Sequence, residues 1–356
     1  MRVVRTAVAA VLAGAAAGAI GRAQAAQLLY VCVQDDAKVA VVDMAKAEVV
    51  RTIDLTKLGF PATAKPHYIV VEPDGGHWYV SLIGANKVVK FDRQDKIVGQ
   101  FEMETPGMLS LADDATLVVS RSMSAVNPPK RVAVIDRTKM TGDEIDVLFP
   151  RPHPVAVVGG FAYTASLGVN QIASIDLASD KVRIVDVTGP AHGFVQFAAS
   201  PDKKTLVVST EVSGELMAFD LSAPATPTLK GEIALGRMVF DPVFTADGRF
   251  VWVPVKMTNE VAVIDATTWK VVARIADPAF KQPHQVVFSP DGRTAFVTNN
   301  NKMDHMADPA HADHPMPGAG DGTASLVVVD VATRKVVKAL PLGKNLTGMN
   351  SRARAR

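Results

Sequence analysis

Apolar and polar residues alternate along most of this chain with a period of two, in runs of five or six residues broken by turn-forming clusters. Such alternation predicts half-buried β-strands, because successive side chains of a strand point to opposite faces. One type of run recurs along the whole sequence and ends in aspartate: KVAVVD at Asp43, VVKFD at Asp92, RVAVID at Asp136, QIASID at Asp176, ELMAFD at Asp220, EVAVID at Asp265 and SLVVVD at Asp330. The intervals are 49, 44, 40, 44, 45 and 65 residues. Removing an insertion of about 20 residues, NNNKMDHMADPAHADHPMPGAGDG at 299–322, returns the last interval to the roughly 45 residues of a propeller repeat.

Other strands keep register with these. Each aspartate-ended run follows a segment such as WYVSL, LVVSR, LVVST, FVWVP or AFVTN, and most of those follow a turn such as EPDGG, SPDKK, TADGR or SPDGR. Turns of this composition between alternating apolar runs are hairpin signals. A further short strand follows each aspartate, as in VVRTI and VVARI. Four antiparallel strands repeated seven times predict an all-β, seven-bladed β-propeller of four-stranded blades. Calling the strands A to D from the central channel outward, the A–B and C–D turns lie on one face of the disc. The D–A and B–C loops lie on the other.

At AFVTNNN, FSPDGRTAFVTN and EVAVIDATTWKVVARI the chain closely resembles the YVTN family of β-propeller repeat proteins, over essentially all of residues 26–356. The resemblance implies the fold and says little about function. Relatives of such propellers include periplasmic proteins without an assigned role, lactonases, and the haem-binding propeller of dissimilatory nitrite reductases. The first blade opens on its second strand, LLYVCV, so its innermost strand is expected from the C-terminus. The sequence there, GKNLTGMNSRARAR, is short and basic without an apolar run, and the expectation is either weak ring closure or a C-terminus atypical of the family.

Residues 1–25 read as a secretory signal peptide. Arg2 and Arg5 precede an Ala-rich apolar run of about 16 residues, followed by the small-x-small site Ala23-Gln24-Ala25. An exported, periplasmic protein follows, with no stable membrane span after cleavage. The net charge of +2 is spread along the chain, which argues against a nucleic-acid groove. The single cysteine, Cys32, rules out an internal disulfide and CxxCH haem attachment, and reads as a buried structural residue.

The topology sorts the histidines. Pro-His pairs precede three inner strands, at His67, His153 and His284, and His192 lies slightly further upstream in its own D–A loop. Met108 stands near the matching position of one blade, and Met238 and Asp241 in another. All are expected to ring the channel mouth on one face. His77, in an A–B turn, falls on the opposite face.

The 299–322 insertion joins strands B and C of the last blade, on the histidine face, and exceeds the usual loop length. It carries Met303, His305, Met306, His311, His314 and Met316, with Asp304, Asp308 and Asp313 interleaved. Thioethers favour Cu(I) and imidazole suits copper or zinc, so copper is the favoured metal. Met123 and Met257, in other B–C loops, extend the donor set.

No GxSxG elbow, HExxH or phosphate loop is present. The leading expectation is a periplasmic binding protein, for copper or for a partner that donates or accepts metal. A haem- or metal-dependent oxidoreductase subunit is the alternative implied by the nitrite reductase resemblance, with a ring histidine as ligand and Arg121 or Lys256 near the propionates. Seven blades where that relative has eight, and the lack of a cytochrome domain, count against it. An interaction scaffold without cofactor is the third reading.

Overall fold

The computed structural model describes residues 27–123, 130–302 and 322–351. Seven four-stranded antiparallel sheets are arranged as the blades of a propeller, and the only helical elements among these residues are three short 3-10 turns. Each aspartate-ended strand is the third of its blade. The aspartate ends it for a local reason: its carboxylate accepts the backbone N–H groups of the next turn. Asp43 takes those of Ala45 and Lys46, Asp136 those of Thr138 and Lys139, and Asp265 those of Thr267 and Thr268. An aspartate side chain is well suited to closing such a turn.

The core lies between blades. The second and third strands of each blade are buried almost throughout, and the fourth alternates toward solvent, as in Ile97–Glu102. Leu29, Val31 and Val33 of the first blade pack with Phe296, Leu326 and Val328 of the seventh. Tyr30, Val39 and Val41, from the same blade, pack on Ile69, Trp78 and Val80 of the second. Each such side chain contributes about 1.5–3 kcal/mol by leaving water.

Ring closure corrects the expectation of a weak seam. The C-terminal segment Leu346–Ser351 is a strand, paired antiparallel with Leu28–Val33 as the innermost strand of the first blade. It needs little apolar character, because only Leu346 and Met349 reach the core between blades. Gly348 permits the closure: a Cβ there would stand 2.5 Å from the His67 carbonyl oxygen and 2.6 Å from the Tyr68 Cα.

The inner strands share a second device. Pro66–Val71, Pro106–Leu111, Pro152–Val158, Phe194–Ala199 and Pro283–Phe288 all lose register with their neighbour after the first residue, leaving a two-residue bulge. Bulges re-aim side chains. Here the bulged pairs are His67-Tyr68, Gly107-Met108, His153-Pro154, Val195-Gln196 and His284-Gln285. The N–H of the second residue leaves the ladder and donates instead to a hydroxyl of the adjacent strand. Tyr68 donates to Ser81, Met108 to Ser120, Gln196 to Ser209 and Gln285 to Thr298, at 3.1–3.2 Å. The fourth blade has Pro154, which lacks an N–H, and correspondingly carries Ala165 where the others have a hydroxyl. Cys32 takes that place in the first blade and is fully buried.

The sixth blade departs from the pattern. Its inner strand is only Val243–Phe244, because Pro242 interrupts the ladder. Asp241 is left beside the next blade, where its N–H donates to the His284 carbonyl at 3.2 Å and it bridges to Gln285.

Candidate functional site

The bulges place His67 and His153 two blades apart, with Gly107 at the equivalent position between them. The absence of a side chain there lets the two imidazoles approach: their centroids are 6.3 Å apart and their planes are tilted by 40°. Both rings are buried. His67 Nδ1 lies 2.9 Å from Gln34 Oε1, and His153 Nδ1 lies 3.0 Å from the Arg121 carbonyl oxygen. Those oxygens accept only, so in each ring Nδ1 carries the proton and Nε2 is left with a lone pair. Neither Nε2 has a hydrogen-bond partner among the described residues. Burial holds both rings neutral. It pushes His67 down to about 3, assisted by the positive charge of His153, Lys256 and Lys302, and His153 down to about 4 against the bond to the Arg121 carbonyl.

A second group of polar atoms adjoins the pair. The Lys256 ammonium lies 3.3 Å from the Phe240 ring centroid, and Phe240 in turn packs on His284 with centroids 5.1 Å apart. Asp241 is buried and neither carboxylate oxygen has a hydrogen-bond partner among the described residues. Burial pushes Asp241 up to about 7, opposed by Lys256, and pushes Lys256 down to about 7, opposed by Asp241 and Glu211. Below them Tyr68 spans the channel. Its hydroxyl oxygen accepts from Gln196 Nε2 at 2.9 Å and from Gln285 Nε2 at 3.1 Å. Both amides are oriented by backbone donors, Phe197 N to Gln196 Oε1 and Met349 N to Gln285 Oε1. Burial and the nearby Asp241 push the Tyr68 phenol well above its ordinary range.

Of the residues singled out in the sequence, His67, His153 and His284 gather here, with Asp241 and Lys256. His192 does not join them. Its Nδ1 lies 2.9 Å from the Ser213 hydroxyl and its Nε2 donates to the Thr188 carbonyl at 3.1 Å, so both nitrogens are committed to the protein. Met108 is buried in the apolar core with Tyr68 and Leu109. Met238 and Met257 pack around Val195 and Phe240. The Arg121 guanidinium is bound by the Glu104 carbonyl and by Glu144, away from the imidazoles. His77 sits on the opposite face against Glu72, as expected. Tyr68, Gln196 and Gln285 went unnoticed in the sequence. The available signal was a polar group two residues into an otherwise apolar inner strand.

Met303, His305, Met306, His311, His314 and Met316 lie outside the described residues. The ends of their segment are described. Asn301 donates to the Thr323 carbonyl at 2.6 Å, and Gln282 brackets Lys302 through both backbone groups. Lys302 belongs to the electrostatic surroundings of both His67 and Lys256, so the insertion departs from the rim of the chamber. Among the described residues no three His, Cys, Asp or Glu side chains form a metal-binding group. A cleft of about 720 Å³ on the opposite face is lined by Asp114, Asp136, Asp143 and Asp180, but Asp136 there is already engaged by backbone donors of its turn.

No family model matches this chain, and no curated protein does. Solved structures match across nearly its whole length. A functionally unknown protein from Desulfotomaculum acetoxidans is 14% identical with a TM-score of 0.73, covering 92% of this chain and 99% of the other. The periplasmic gluconolactonase PpgL of Pseudomonas aeruginosa is 19% identical with a TM-score of 0.67, covering 91% and 98%. The dihydro-haem d1 dehydrogenase NirN is 17% identical with a TM-score of 0.59, covering 91% and 75%. At these identities the likeness concerns the fold.

Proposed function

We propose that this chain is an exported, YVTN-type propeller that binds Cu(I) at His67 and His153, as a periplasmic carrier receiving or passing on the metal. The observation that carries this reading is the pair of buried imidazoles, each fixed with Nδ1–H donated to a protein oxygen and Nε2 unpartnered. A metal-ligating histidine usually donates its far ring N–H to a protein oxygen, which fixes the ring and its tautomer. With metal–nitrogen bonds of about 2.0–2.1 Å, two imidazoles on one ion reach a centroid separation of roughly 6–6.5 Å when they oppose each other. The observed 6.3 Å falls in that range. Cu(I) accepts so few ligands, whereas zinc in protein sites takes about four. The Met- and His-rich segment 303–316 supplies thioether and imidazole donors of the kind that favour copper.

The test is competition of the purified protein with a chromogenic Cu(I) chelator. One Cu(I) per chain is expected, with His67→Ala or His153→Ala each weakening it by at least about tenfold, since losing even a hydrogen-bond partner of a ligand costs that much. Unchanged affinity in the double variant would refute the site. His305→Ala/His311→Ala/His314→Ala separates a contribution of the inserted segment from that of the pair. The haem reading uses the same imidazoles with Lys256 near the propionates, and a Soret band in protein purified from its native host would favour it instead.

A further inference from the structure

Beside the imidazole pair lies a set of buried polar groups that metal binding does not use. Tyr68 is the first. Its oxygen accepts two amide N–H groups, from Gln196 and Gln285, which occupies both lone pairs. The hydroxyl proton remains, and no acceptor among the described residues takes it. Asp241 is the second. It is joined to Gln285 by backbone bridging, and both its carboxylate oxygens are buried without a hydrogen-bond partner among the described residues. Lys256 is the third. It is buried over Phe240, with its ammonium against the ring face. One buried carboxylate without partners already costs enough to need an explanation. Here two donors and one acceptor are buried together: Asp241 lies within electrostatic reach of both Tyr68 and Lys256.

The chemistry of the missing partner follows from these three groups. A bare cation would meet the Lys256 ammonium and the Tyr68 O–H. A simple anion would meet Asp241. The set is satisfied by a ligand that accepts at one end and donates at the other within a few atoms. We propose that the channel core is a binding site for a small carboxylate with a hydroxyl or amino group on the adjacent carbon, its carboxylate held by Lys256 and Tyr68 and its donor directed at Asp241. Charge-assisted hydrogen bonds to the carboxylate supply affinity, and the Asp241 acceptor supplies selectivity for the donor-bearing acid. The position of Asp241 supports this: it stands at the second bulge position of its blade, where Tyr68, Gln196 and Gln285 stand in theirs. The site does not depend on copper, since none of its groups is an imidazole of the pair.

Calorimetric titration of the metal-free protein tests it, with L-lactate and glycine as probes and propionate as the acid that lacks the donor. Saturable one-to-one binding of lactate or glycine is expected, with propionate at least about tenfold weaker, as expected when a buried acceptor is left unpaired. Lys256→Met should weaken the probe that binds by at least about tenfold, and Tyr68→Phe by a smaller factor. Cu(I) and the acids are titrated separately on the parent protein, so failure of the copper site and failure of this one are separable. The absence of saturation with both lactate and glycine overturns the proposal, and so does propionate binding as tightly as lactate. The comparison of acids is made on the unmodified protein and holds even if Lys256→Met does not fold.

Discussion

Gly348→Ala is the perturbation that most directly probes how the ring closes. The added Cβ would stand 2.5 Å from the His67 carbonyl oxygen, 2.6 Å from the Tyr68 Cα and 2.9 Å from a Tyr68 ring carbon. Two of these are backbone atoms, so no side-chain rotation relieves the clash and the closing strand must move away from the second blade. Overpacking of this kind costs about 1–3 kcal/mol. A kcal/mol moves Tm by about 2–4 °C in domains of 150–250 residues and less in longer ones, which gives a fall of roughly 2–6 °C. Gly231→Ala is the control, because a Cβ there meets nothing within 4 Å. It should stay within about 0.5 kcal/mol of the parent. Differential scanning calorimetry of the three proteins decides the matter. If Gly348→Ala melts within about 1 °C of the parent, as ordinary surface substitutions do, the closing strand does not run against His67 and Tyr68 as described.

Stability should also depend on pH in a way set by the chamber. His67 and His153 have folded values near 3 and 4 against an ordinary 6.5, so the unfolded chain binds more protons and their contribution is lost as pH falls below about 6.5. Asp241, raised to about 7, acts in the opposite sense and its contribution is lost as pH rises from about 4 to 7. Two imidazoles against one carboxyl leave a net slope of about 1.4 kcal/mol per pH unit between roughly pH 4 and 6.5 from these groups. Urea unfolding across that range should show stability rising with pH, and His67→Gln/His153→Gln should reverse the chamber's contribution. Cys32 is fully buried and burial pushes its thiol up, so a thiol reagent should label it only in denaturant. Rapid labelling of the native protein would contradict its placement in the core.

The blades were legible in the sequence because their signals are local. The aspartate that closes each C–D turn and the PDG turns act within a few residues. The histidine positions were legible for the same reason, since Pro66, Pro152 and Pro283 open inner strands with histidine next. The proton arrangement on each ring was not, because it is set by partners far along the chain. His67 takes its tautomer from Gln34 and His153 from the carbonyl of Arg121. His192 resembles them in sequence, yet one additional loop turn commits both its nitrogens. The closing strand was read as too polar. A strand that lines a channel needs only two apolar contacts and one glycine.

The repeated bulge has a consequence for how such a molecule can change. At four inner strands two consecutive residues are released from the pairing of their own blade, and a hydroxyl on the neighbouring strand takes over the stranded amide. Exchanging those two residues alters what the axis presents without disturbing the ladders that hold the blade. The contents of the channel and the architecture around it are therefore inherited almost separately. Proteins of this shape can diverge to unlike chemistries by rewriting a few axial positions, while an unchanged outer framework keeps them folded.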